Sequence, residues 1–172
     1  NQHLTIEDYK QVITANQTDK SGNLVVLYTN HLDEQYAYVK AAENRGYSVL
    51  KFEGPLDNHF TAYLEQHNDK LQCKRVDADA LDKLIPQDRI ETALLSDDQM
   101  KQLTDLFDKG KQRTDLTFST EALSISEPLI TITESEYDRR MRDMSKMNGF
   151  NMFAEMPVKY QCVVNANHEK AK

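Results

Sequence analysis

The sequence predicts an α/β and α+β protein in two parts. A small three-layer α/β unit with a short parallel sheet is expected over residues 1–90, and a mixed α/β unit with a small sheet and an amphipathic helix over residues 91–172. Three observations predict this. Leu24 to Tyr28 (LVVLY) is a continuous apolar run of strand length, the pattern of a strand covered on both faces. Strand-like and helix-like segments alternate as far as Val76, which is the order of a parallel sheet with right-handed crossovers. From Asp77 to Ser96 the apolar content thins and Pro86 interrupts, which places a boundary between the parts.

Each element has a local reason. After the first strand Asn30 can cap a helix whose stripe is Leu32, Tyr36 and Val39, and Gly46 supplies its stop. Val49 to Phe52 reads as the second strand. Gly54 and Pro55 turn the chain into a helix reaching about His67, with Leu56, Phe60, Tyr63 and Leu64 expected on its inner side. Leu71 to Val76 alternates apolar and polar residues, as a strand near the sheet edge does. Ser96 and Gln99 have the spacing of a capping box for a helix carrying Met100, Leu103 and Phe107, which Gly110 closes. Leu116 to Ile125 and Leu129 to Thr133 read as strands separated by Pro128, and Gln161 to Asn165 as one more. An ending on a strand, followed only by His168 and a few charged residues, predicts a truncated second unit.

Composition narrows the function classes. Lys and Arg total 21 against 28 for Asp and Glu, a net charge of −7 with no basic run, so a nucleic-acid partner is not expected. No apolar run approaches the roughly 20 residues of a membrane helix, and no signal core opens the chain. A soluble, cytoplasmic protein with no membrane partner is expected, with Cys73 and Cys162 reduced and buried in their strands.

Chemical motifs are scarce. GxGxxG, the P-loop and HExxH are all missing. Gly54 follows a strand, but Pro55 removes a backbone donor where a phosphate cradle needs one. The histidines His3, His31, His59, His67 and His168 have no paired ligand spacing and read as surface or interface residues. The pairs Asp33/Glu34, Asp97/Asp98 and Glu134/Glu136 read as helix-start carboxylates that complement the dipole. Neither catalytic residues nor a metal site is expected.

The stretch that stands out is EYDRRMRDMSKMNGFNMFAEMPVKY, Glu136 to Tyr160. At helical pitch Tyr137, Met141, Met144 and Met147 share one side, while Asp138, Arg139, Arg142 and Lys146 take the rest. Phe150, Met152, Phe153 and Met156 follow in a segment too short to bury them alone. Flexible, polarisable methionine suits a surface that adapts to many apolar partners. An amphipathic helix packed on its own core is the other reading of the same spacing.

Several segments, taken in order, resemble the ninety-kilodalton heat-shock chaperones, in particular their bacterial form. LTIEDY and GNLVVLYTN resemble the entry and first strand of the small α/β subdomain of the family's middle domain. GYSVLKFEGPLDNHFTAYL is similar to its strand, Leu-Asp turn and aromatic-bearing helix, and VDADALDKL to its exit. SEPLITITESEYDRRMRDM resembles the start of the amphipathic segment of the C-terminal domain, and PVKYQCVVNANH the strand after it.

The resemblance implies that residues 1–90 end the middle domain and residues 91–172 begin the C-terminal, dimerisation domain. It implies part of an ATP-dependent, stress-response chaperone that binds and remodels non-native client proteins, the parent being a homodimer. Client contacts are implied at Met141, Met144 and Met147, continued by Phe150, Met152 and Phe153. His59 and Phe60 stand where many relatives carry a client-contacting tryptophan or tyrosine. ATP and magnesium would bind in a domain absent from this sequence, so no cofactor and no ATPase activity are expected of the chain itself. Two other classes stay open: an enzymatic or nucleotide-binding site near Tyr28, Thr29, Asn30 and Gly54, and a passive interaction module.

Overall fold

A strand with no polar position until its end must be covered on both sides, and the computed structural model shows how this is done for β1 (Leu24–Thr29). The structure describes residues 4–52, 54, 56–86, 93–147 and 158–171. Within α-helices 57–67 and 136–147 it leaves undescribed the side chains of Asn58, Glu136, Asp143, Met144, Lys146 and Met147. The chain divides into two units, Asn1–Val76 with Lys83–Asp88, and Asp77–Asp82 with Arg89–Lys172.

The first unit opens with α1 (Ile6–Thr14), whose cap is built by Thr5 and Asp8 in a reciprocal capping box. β1 follows, then α2 (Tyr36–Asn44), β2 (Val49–Lys51), α3 (Asp57–His67) and β3 (Leu71–Arg75). All pairings are parallel and the strand order is β2-β1-β3, with Leu27 opposite Val49 and Leu24 opposite Leu71. Val26 and Tyr28 of β1 meet Ile13 of α1, Leu64 of α3, Leu71 and Cys73 in one buried cluster. Val25 and Leu27 point the other way, and right-handed crossovers place α2 on that face. Each such aliphatic side chain is worth roughly 1.5–3 kcal/mol when buried.

Polar residues fasten the unit at its seams. The buried Gln17 donates from Nε2 to the Val25 carbonyl at 2.8 Å and accepts from the Ser48 backbone N–H at 2.6 Å. The edge of β3 is partly closed by Glu65, which accepts from the Cys73 N–H at 2.8 Å. Gly46, at φ 77°, turns the chain out of α2 as expected.

Asn30, expected to cap α2, does not. Residues 31–35 form turns, α2 starts at Tyr36, and Leu32 and Tyr36 are exposed, so only Val39 and Ala42 face the core. The cause is Gln35, whose Oε1 accepts from the Thr29 hydroxyl at 2.6 Å and from the Asn30 and His31 N–H groups.

Of α4 (Leu81–Leu84), Leu81 and Asp82 belong to the second unit and Lys83 and Leu84 to the first, and in the second unit α5 (Asp97–Gly110) begins with the expected Ser96/Gln99 capping box. β4 (Leu116–Glu121), β5 (Ile130–Glu134), α6 (Glu136–Met147) and β6 (Tyr160–Asn165) complete it. The sheet order is β4-β6-β5, with β6 parallel to β4 and antiparallel to β5. Phe107 of α5 stacks on Phe118 of β4 at 5.5 Å between ring centres.

The first strand of this unit is shorter than the sequence implies. It stops at Glu121, and Ile125 is exposed in the loop beyond. Asn165 explains the stop: its side chain accepts from the Leu123 and Asn167 N–H groups and donates to the Ser124 carbonyl at 2.8 Å, holding the loop in a compact turn.

Candidate functional site

The Gly54 turn sets how α3 is presented. Its N–H donates to the Asp57 carboxylate at 2.6 Å, so Asp57 closes the turn on itself and starts the helix. From there Thr61 and Leu64 face inward and are buried. The inner side expected for Leu56, Phe60 and Tyr63 is therefore corrected: they lie on the outer side, 68%, 39% and 54% exposed. The helix needs only Leu64 and Thr61 to fill the space over β1 and β3, and the apolar residues one step round are left outside.

These outer residues recur at i, i+4 and i+7 and make one row. Phe60 is steadied edge-on against Phe52 at 6.1 Å, and Phe52 in turn packs on Tyr28 at 5.3 Å. Tyr63 stacks on His67 at 4.0 Å, and the His67 Nδ1 lies 2.9 Å from the Tyr63 carbonyl oxygen. His59 is exposed beside Phe60. Phe60 and Tyr63 of the row are thus braced by aromatic contacts while their outer faces meet water.

The helix expected around the methionines is present as α6, but the described side chains do not follow the expected sides. Arg139 is buried, at 2% exposure, whereas Tyr137 is 71% exposed. Ser145 is buried and Met141 half-buried. Arg142 forms an ion pair with Glu134 at the end of β5, both side chains largely buried. The correction has a physical basis: an arginine placed inward can pair and keep its charge satisfied, so helical spacing alone does not fix which side faces the protein. Met144 and Met147 lie on α6 with side chains outside the described set, and Phe150, Met152 and Phe153 lie outside the described residues.

The strand ends of the first unit can be compared with the enzymatic reading. Tyr28 and Thr29 are buried, Gln35 takes up the donors of Thr29, Asn30 and His31, and the Gly54 N–H is occupied by Asp57. A Cβ at Gly54 would meet that same carboxylate at 3.2 Å, so an acidic side chain already sits where an anion would bind.

Burial pushes the Tyr9 phenol up, and burial together with Asp115 pushes the Cys162 thiol up. Cys73 and Cys162 are not joined in a disulfide and both are buried in their strands. Among the described residues no three His, Cys, Asp or Glu side chains converge as a metal set, and no helix is long and apolar enough to cross a membrane.

Sequence reasoning missed Leu56 and Tyr63 as surface residues. The signal was present in the apolar positions of α3, which cover more of the helix circumference than one face of a small sheet can bury.

Comparison with known proteins adds the following. No protein-family model matches the chain. It is 38% identical, over 176 aligned positions covering all of the chain, to the chaperone protein HtpG of Bacteroides thetaiotaomicron. Identity to the HtpG of Bacteroides fragilis is 37% over 99% of the chain, and to that of Porphyromonas gingivalis 35% over 95%. The chain spans about a quarter of the length of these relatives, 26%, 26% and 25% in turn.

Proposed function

Since the chain belongs to the heat-shock protein 90 family of molecular chaperones, bacterial HtpG type, we propose that it supplies client-contacting apolar surface and the junction between the middle and C-terminal domains. The observation that supports this best is the outer row of α3, where Leu56, Phe60 and Tyr63 stand exposed together along one helix. Single exposed apolar side chains are ordinary; a row on one helix face is a surface. In this proposal His59 and Phe60 carry the client contact that the resemblance implies, and the exposed Leu56 and Tyr63 join them.

The second contact surface is the methionine-bearing segment, comprising Met141, Met144 and Met147 and continuing through Phe150, Met152 and Phe153. Together the two surfaces offer weak apolar contacts to an unfolded segment. At roughly 1.5–3 kcal/mol per buried side chain, a few such contacts reach micromolar holding. ATP and magnesium act elsewhere in the parent, a cytoplasmic homodimer in which nucleotide cycling changes how two copies of these surfaces face a client.

Suppression of aggregation of an unfolding model protein tests this reading. Leu56→Ser with Tyr63→Ser is expected to weaken protection, and adding Met141→Ser, Met144→Ser and Phe153→Ser to weaken it further. Because Leu56 and Tyr63 are exposed, the first pair should change stability by only about 0.5 kcal/mol. Undiminished protection by the combined variant would remove both surfaces from the function.

A further inference from the structure

A parallel sheet brings the turns that follow its strands to one end, the carboxyl end. In the first unit the turns after β1 and β2 leave from neighbouring positions, since the Phe52 N–H donates to the Thr29 carbonyl at 2.8 Å. The first turn carries Leu32, Asp33 and Glu34 and runs into Tyr36 at the start of α2. The second runs into Leu56 and Phe60 at the start of α3. All of these side chains are exposed.

Apolar and acidic groups are mixed at this end, and the uncommitted charges are acidic. Asp33 and Glu34 hold no hydrogen bond or ion pair among the described residues. Asp57 is committed to the Gly54 N–H at 2.6 Å, and Lys40, which lies over the Tyr36 ring, is paired with Glu43 at 2.6 Å. Lys51, which ends β2, is engaged as well. Adjacent exposed carboxylates without a counter-charge make a local negative potential, felt over a Debye length of about 10 Å at 0.1 M salt. The strands from which the turns leave lie about 4.8 Å apart, and an extended chain advances about 3.3 Å per residue, so a segment of roughly six residues spans both turns.

We infer that this end of the sheet selects extended segments that combine apolar side chains with a lysine or arginine. The apolar groups lie on Leu56 and Phe60 and continue onto Leu32 and Tyr36, and the cation meets Asp33 and Glu34. The inference rests on the client-contacting role proposed for α3 and gives that contact a charge preference. Charges at the rim of a contact act on capture rate and salt dependence, while the apolar row supplies the holding.

Fluorescence anisotropy with two labelled synthetic peptides tests it. Both peptides are unstructured with the same leucine and phenylalanine content; one carries lysines, the other glutamates. The chain is expected to bind the lysine peptide on the order of tenfold tighter at low salt, the preference falling as sodium chloride rises. Asp33→Asn with Glu34→Gln should bring the two peptides within about threefold of each other. Asp97→Asn with Asp98→Asn, the same charge change at the start of α5, should leave the preference in place. All four carboxylates are exposed, so equal denaturant midpoints are expected. Leu56→Ser with Tyr63→Ser should weaken both peptides alike. Equal binding of the two peptides, still weakened by that pair, would overturn the charge preference and leave the apolar contact standing. A preference lost equally through the Asp97 and Asp98 changes would assign it to net charge and overturn the site. Binding of neither peptide would overturn both readings.

Discussion

Gln17 joins the end of α1, β1 and the turn before β2 through a single buried amide. Gln17→Leu removes the partners of the Val25 carbonyl and the Ser48 N–H together, and urea unfolding should show a loss of roughly 1–3 kcal/mol. Asn165 does the equivalent work in the second unit, so Asn165→Leu should cost a similar amount, about 1–3 kcal/mol. Asp19 supplies a pH dependence. Burial pulls its carboxyl up, but the Asn23 side chain and the Asn23 and Ser21 N–H groups outweigh that and hold it below its ordinary value. A depressed folded value gives stability that is present above the unfolded carboxylate range and lost as pH falls through the folded one. Asp19→Ala should therefore flatten the acid side of the stability profile, measured by denaturant midpoint against pH.

At the scale of elements, the helix caps are the cleanest test of local sequence control. Ser96→Ala deletes the side-chain acceptor of the Gln99 N–H and should destabilise the second unit by about 1 kcal/mol in chemical unfolding. The same box was legible in the sequence, as were the β1 run, the Gly46 stop and the parallel pairing implied by alternation, because each rests on residues close in sequence. What was not legible depends on distant partners. Gln35 displaces the expected Asn30 cap by serving three donors of the preceding turn. Asn165, more than forty residues away, ends β4 before Ile125. The sides of α3 and α6 were misjudged because spacing marks an apolar row without saying whether space exists to bury it. Leu56 and Tyr63 found none, and Arg139 was accommodated inside.

For the whole molecule, a net charge of −7 on two small units with closed cores leaves few apolar places where a partner can bind. On the described residues the exposed large apolar side chains are the α3 row, Leu4, Ile6, Val12, Leu32 and Tyr36 of the first unit, and Leu94, Leu106, Ile125, Ile132 and Tyr137 of the second. Homology to HtpG fixes the family, and the α3 row is the surface proposed to meet a client. The most direct measurement is an amide NMR titration of the chain with an unfolded model polypeptide. Shifts and broadening are expected to concentrate on residues 56–67 and 137–147 and to be abolished in the first region by Leu56→Ser with Tyr63→Ser. Perturbations confined to the strand ends around Thr29 and Gly54, with both helices silent at saturating polypeptide, would contradict it.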